Sequence, residues 1–196
     1  MGASPHSLKP LLVQAVGLVE EFHVNKPAQA QSTRSGWQLE ATVGTSWLKH
    51  SDSRDLAARV ALGLALKTKA TVGYLAVGEC ALHAMMRIWL LAAGVDASRV
   101  LAGEIAEEEF PRLTMAAERI ANARLVLSDR DVPKKKIQQA TRQFIEDSQL
   151  EYLVVDEPDV ETLRDPTLFP EQEHWRIRME FREAVRGTNV MMILPG

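Results

Sequence analysis

Short apolar runs that alternate with stretches of helical period constrain this chain more than any other feature. The runs are Ala70–Val77 (ATVGYLAV), Leu125–Leu127, Tyr152–Val155 and Val190–Leu194. They carry no polar/apolar alternation, so each reads as a strand covered on both faces. Between them the spacing predicts helices over about Asp55–Lys67, Ala81–Ala93, Glu107–Ala121, Ile137–Asp147 and Glu173–Val185. The last has Ile177, Phe181, Ala184 and Val185 on one side and Gly187 as its stop. An extended stretch at Gln38–Val43 makes a strand–helix–strand unit with the first of these. Strands and helices in alternation imply an α/β fold, a mostly parallel sheet with helices on both faces, because every crossover must return over the sheet. Ligands then belong at the carboxyl ends of the strands.

The amino-terminal segment reads differently. Leu8, Leu11, Leu12, Ala15, Val19 and Phe22 fall at helical spacing and form one apolar stripe. Residues 25–36 (NKPAQAQSTRSG) are small, polar and punctuated by Pro and Gly, as a linker is. The division that follows is a docking helix with its linker over 1–36 and an α/β domain over 37–196. Since the linker has no apolar face to fold the helix back, the stripe, with Leu8, Leu11, Leu12, Val19 and Phe22 as contact residues, is expected to pack on another molecule. A chain of 196 residues with 46% apolar content is enough for one continuous core in the remainder.

Charge excludes some functions. With 23 basic against 26 acidic residues and a net charge of −3, there is no strong basic field, so contact with DNA has to be argued from local features. Cys80 is the single cysteine, which removes disulfide frameworks and cysteine-based zinc clusters and fits a reducing, cytoplasmic setting. No apolar stretch approaches the ~20 residues of a membrane span, so no membrane partner is expected.

From Glu79 to Asp156 the order of features resembles the motor domain of DnaB-type replicative helicases. The strand YLAVGE is similar to the family's strand ending in a carboxylate, which places Glu79 where that carboxylate orients the attacking water. The segment from Gly94 to Asp129, with Val100–Gly103 (VLAG) and Arg112–Thr114 (RLT), is similar to the family's central run. LEYLVVDEPDV resembles its Walker B strand, with Asp156 at the position that holds hydrated Mg²⁺. The segment SLKPLLVQAVGLVEEFH is similar to the linker helix that the family docks on a neighbouring ring subunit. The resemblance implies a RecA-like P-loop NTPase fold preceded by that helix. It also implies ATP and Mg²⁺ as ligands, and a homo-oligomer or a replicative helicase as partner.

The phosphate loop departs from the pattern. A working loop needs glycines so that backbone N–H groups can curl around phosphates, a Lys for the β and γ phosphates, and a Ser or Thr on Mg²⁺. The best fit to G-x-x-x-x-G-K-[ST] is GTSWLKHS, in which Gly44 and Ser51 stand but Lys49 replaces the second glycine and His50 the lysine. Counting back from Glu79 instead brings Arg54 near the family's lysine. The nucleotide-binding candidates are therefore Gly44, Lys49, Ser51 and Arg54, and neither placement restores the pattern. Beyond Leu194-Pro195-Gly196, where the sequence stops, the resemblance would continue into a sensor residue, a DNA-contacting loop and basic residues acting across subunits.

These readings converge on a DnaB-like protein without an efficient ATPase. It is expected to need no bound cofactor or metal and to act by self-association or by docking on a helicase in DNA replication. The alternative is a weak ATP-binding enzyme of the DNA-helicase type using Glu79 and Asp156. A decayed, purely structural domain is a third reading. Against Glu79 and Asp156 as a metal pair stands the plain alternative that each caps a helix or meets solvent. Cys80, His83 and Met85 read as a packed helix and not a ligand cluster, Lys134–Lys136 as a solvated face with DNA contact the alternative, and Trp37, Trp47, Trp89 and Trp175 as core or interface residues.

Overall fold

The computed structural model describes residues 8–25, 52–77, 79–128, 136–156 and 170–193. Gln38–Val43, the linker after residue 25, Gly44, Lys49, Ser51, Trp37, Trp47, Lys134 and Lys135 lie outside the described residues. Helix α1 is Leu8–Asn25 and α2 is Asp52–Lys67. Strand β1 (Val72–Leu75) leads to α3 (Ala81–Ala93), the short α4 (Ala97–Leu101), a 3-10 turn at Glu107–Glu109 and α5 (Phe110–Ala121). Then come β2 (Leu125–Ser128), α6 (Ile137–Ser148), β3 (Tyr152–Val155), α7 (Pro170–Val185) and β4 (Met191–Ile193).

The strands form one parallel sheet in the order β2-β1-β3-β4. Val72 stands opposite Leu125 on one side and Tyr152 on the other, and Leu75 opposite Ser128 and Val155, so the carboxyl ends of β1, β2 and β3 are level. The chain leaves β1 toward β2, then crosses back past β1 to reach β3. Keeping one hand of crossover through that reversal requires the connecting helices to change faces. They do: Val72, Tyr74, Leu125, Leu127 and Val154 share a core with α1, α2, α3 and α5, whereas Leu75, Leu153 and Val155 pack with Ile137, Phe144, Ile177 and Phe181 of α6 and α7. The expected α/β fold with helices on both faces is what the structure shows.

Local sequence accounts for the element ends. Gly94 takes φ +63° after α3, and the Val95 N–H donates to the Leu90 carbonyl at 3.0 Å, a left-handed stop that suits glycine. Asp96 caps α4 by accepting from the Ser98 N–H at 2.7 Å. Gly73 in β1 lies so close to α6 and the residues after it that a Cβ there would run into Leu150 and Phe144. The Trp89 indole N–H donates to the Leu113 carbonyl at 2.8 Å, joining α3 to α5.

One expectation is overturned. The α1 stripe is not left for another molecule: Leu8, Leu11, Leu12, Ala15 and Val19 are buried in the chain's own core and Phe22 packs against it. The partners are α3, α4 and α5, and His23 meets Phe110 edge-on with ring centroids 5.1 Å apart. The physical reason is that α3 is apolar nearly all round. Beyond the side that covers the sheet it has a further face to hide, and burying each large aliphatic side chain there contributes roughly 1.5–3 kcal/mol. A polar linker does not oppose that gain.

Candidate functional site

A crevice forms in an open α/β sheet where neighbouring strands send their following helices to opposite faces. Here that place lies between β1, which continues into α3, and β3, which is followed by α7 on the other face. Glu79 comes shortly after β1, and Asp156 follows β3 directly. The Asp156 N–H donates to the Leu75 carbonyl at 2.9 Å, which fixes the start of this loop against the end of β1. The structure thus brings together the two carboxylates that the sequence singled out.

Neither stands open to solvent. Arg87, from the second turn of α3, lays its guanidinium fork on Glu79, with Nη1 to Oε2 at 2.8 Å and Nη2 to Oε1 at 2.7 Å. The same Nη1 donates to Asp156 Oδ2 at 3.3 Å. Arg54, from the first turn of α2, approaches both acids from the other side, 3.5 Å from Glu79 Oε2 and 3.8 Å from Asp156 Oδ1. Asp55 Oδ1 lies 4.0 Å from Arg87 Nε. The centre of the cluster is buried and its edge is not: side-chain exposure is 5% for Arg87, 2% for Glu79 and 0% for Asp156, against 18% for Arg54 and 17% for Asp55.

Burial in so little water sets the protonation chemistry. It pushes the Glu79 carboxyl up to about 7; Arg87 and Arg54 oppose the rise and Asp156 adds to it. Burial works against the Arg87 charge, but Glu79, Tyr74 and Asp156 outweigh it and hold the guanidinium protonated. The Tyr74 hydroxyl, buried beneath the crevice, is held well above its ordinary value by burial and by Asp156. His83, one turn before Arg87, is lowered to about 4 by burial and by the Arg87 charge, so it is neutral at pH 7.

Arg87, Asp55 and Tyr74 were not among the residues expected from sequence, although Arg87 had a signal. A single charge in ALHAMMRIWLLAA, a helix apolar nearly all round, demands a partner because an unpaired buried charge is prohibitive. Of the nucleotide-binding candidates, Arg54 lies in the crevice, while Gly44, Lys49 and Ser51 fall outside the described residues. Met85 is core; Cys80 and His83 are half-buried at the start of α3. Trp89 is core, and Trp175 is exposed.

The resemblance implies Mg²⁺ and ATP at this crevice, and the residues present do not fit the metal. Mg²⁺ takes octahedral oxygen coordination and keeps several waters. Here all four carboxylate oxygens of Glu79 and Asp156 face guanidinium nitrogens, and Asp156 has no exposed surface to admit the water shell.

No curated protein matches the chain. A family model described as the DnaB-like helicase C terminal domain matches residues 52–166, a span that begins after Gly44–Ser51 and contains Arg54, Glu79, Arg87 and Asp156. That span is more than half of the chain and holds both carboxylates at the carboxyl ends of parallel strands, so the chain belongs to the DnaB-like helicase C-terminal domain family.

Proposed function

We propose that this is a helicase-related domain that has given up efficient ATP hydrolysis and works by protein contact in DNA replication, associating with copies of itself or docking on a replicative helicase. One observation carries the reading. The two carboxylates that hydrolysis would need, for water and for Mg²⁺, are neutralised by the chain's own Arg87, with the fork on Glu79 at 2.7 and 2.8 Å. The substitutions at Lys49 and His50 in the phosphate-loop sequence support the same conclusion, because a side chain at the second glycine position obstructs close approach of backbone to phosphate.

With Mg²⁺, ATP and single-stranded DNA present, turnover is expected at background. A rate above roughly 1 s⁻¹ that Asp156→Asn abolishes would overturn the reading. For self-association, sedimentation should show a species heavier than the 21.8 kDa chain; a monomer at every concentration would overturn that part of the reading.

A second reading, a weak ATP-binding enzyme, is favoured by Arg54. It stands in the first turn of the helix that follows the phosphate-loop sequence and is the more exposed of the two crevice arginines. A saturable rise in melting temperature with Mg²⁺-ATP, lost in Arg54→Ala, would select it, since a ligand that binds only the native state must stabilise it.

A further inference from the structure

We infer that two exposed helix ridges, one on α7 and one running from the 3-10 turn into α5, are the two halves of a head-to-tail contact between copies of this chain. The inference deepens the proposed function and rests on self-association, for which it names the surfaces. One of them, α7, lies beyond the residues that the family model matches.

The ridge on α7 follows from its spacing. Ile177, Phe181 and Ala184 face the core, which turns Trp175 and Arg182 outward with Arg178 beside them, all three exposed. Trp175 is 66% exposed, and tryptophan and arginine are the residues that most often anchor contacts between proteins. The acids of this helix are committed elsewhere, Glu180 to Arg176 at 2.8 Å and Glu183 to Arg186 at 3.3 Å. Arg178 and Arg182 hold no ion pair among the described residues.

The second ridge carries the complementary chemistry in reverse order. Leu113, Ala116 and Ile120 seat α5 on the core, so Pro111 and Met115 face outward, and Met115 is 58% exposed. Glu107 and Glu108 stand about one turn before Pro111, exposed and without an ion pair among the described residues, because the nearby Arg99 and Arg112 are committed to Glu109. Trp175 and Arg182 are two helical turns apart, as are Glu108 and Met115, about 10 Å in each case. Laid antiparallel, the ridges set arginines on acids and the indole on the Met115 thioether, a favourable pairing of sulfur with an aromatic ring. One copy cannot satisfy this by itself, since α7 packs on the sheet face of Leu153 and Val155 and α5 on the face of Val72 and Tyr74. The contact is therefore heterologous: each copy gives one ridge to each neighbour, and repetition builds a ring or an open filament.

The test is sedimentation velocity of the full chain as wild type, as Arg178→Glu/Arg182→Glu, as Glu107→Lys/Glu108→Lys, and as an equimolar mixture of the two variants, each checked for native helix by circular dichroism. Either variant alone should associate at least about tenfold more weakly than wild type, because like charges then face each other. The mixture should regain the heavier species, because the intact acidic ridge of one variant meets the intact α7 of the other. Trp175→Ala, which leaves every charge in place, should also weaken association. If a charge reversal unfolds the chain, Arg178→Gln/Arg182→Gln takes its place with the same expectations. Variants that associate as wild type does, or a mixture no heavier than its components, would overturn the inference and leave self-association standing; a monomeric wild type overturns both. A single-stranded oligonucleotide that binds wild type, and is lost in Arg178→Glu/Arg182→Glu with no change in protein mass, would assign the α7 ridge to nucleic acid and overturn the inference as well.

Discussion

Glu109 and Glu79 are both buried carboxylates served by two arginines, and the two clusters serve different ends. Glu109, at the start of α5, accepts from Arg99 at 2.9 Å, Arg112 at 3.3 Å and the Ala106 backbone N–H at 2.8 Å. Both arginines are close to half exposed, 44% and 45%, and each also holds a backbone carbonyl, Glu104 for Arg99 and Gly94 for Arg112. This is a clasp: one acid gathers the loop between α3 and α5, and solvent shares the charge. Around Glu79 a second acid, Asp156, competes for the same guanidinium, with nearly no water. The difference shows that burial, and not the number of partners, decides whether an ion cluster merely fastens a loop or closes a site.

The largest expected effect tests that contrast directly. Arg87→Met leaves buried acids without their principal cation and should destabilise the protein by about 3–5 kcal/mol in urea unfolding, the range for breaking a buried ion pair. A loss below about 1 kcal/mol would place the crevice cluster in the same class as the clasp. Glu109→Ala comes next, at about 1–3 kcal/mol, since it removes charge-assisted hydrogen bonds while both arginines keep access to water. Arg99→Ala should move stability by no more than about 1 kcal/mol, as for an exposed pair.

The comparison can also be sharpened by pH. Glu79 is raised from 4.5 to about 7, so the folded state binds its proton more tightly than the unfolded state does. Its share of stability is full below 4.5 and is lost as pH rises through about 7. His83, lowered from 6.5 to about 4, acts in the opposite sense: its share is present above 6.5 and is lost as pH falls toward 4. Comparing urea midpoints of wild type and Glu79→Gln across this window isolates the first effect, and wild type should lose stability relative to the variant as pH rises. Parallel profiles would mean that the Arg87 fork keeps Glu79 ionised throughout.

How legible each part was depended on whether its cause is local. Tyr152–Val155 and Ala81–Ala93 have the same bounds in structure as in sequence, because continuous apolarity and a Gly94 stop are properties of the segment itself. The short helix Ala97–Leu101 was missed. Its Asp96 cap is visible in the sequence, but five residues carry too little periodicity to announce a helix. The placement of α1 was misjudged for a different reason. An apolar stripe shows that a helix needs cover, and only tertiary structure shows that α3, α4 and α5 have a surface to supply it. Glu79 and Asp156 were found through their positions after strands. Arg87 belongs to the same site but is brought there by the packing of α3, eight residues beyond Glu79 and 69 before Asp156.

The clustering of Glu79, Asp156 and Asp55 around a single guanidinium also shapes which substitution routes are open to this domain. Changing any one member strands the others, so each single-step path toward an accessible crevice crosses a variant weakened by a sizeable part of the ~5–15 kcal/mol that holds a domain folded. Paired changes that remove acid and base together avoid this, because replacing a whole buried ion pair with apolar groups is often neutral. Such a cluster behaves as a ratchet: it is hard to dismantle one residue at a time and easy to lose altogether, and regaining an open site would require compensating changes first.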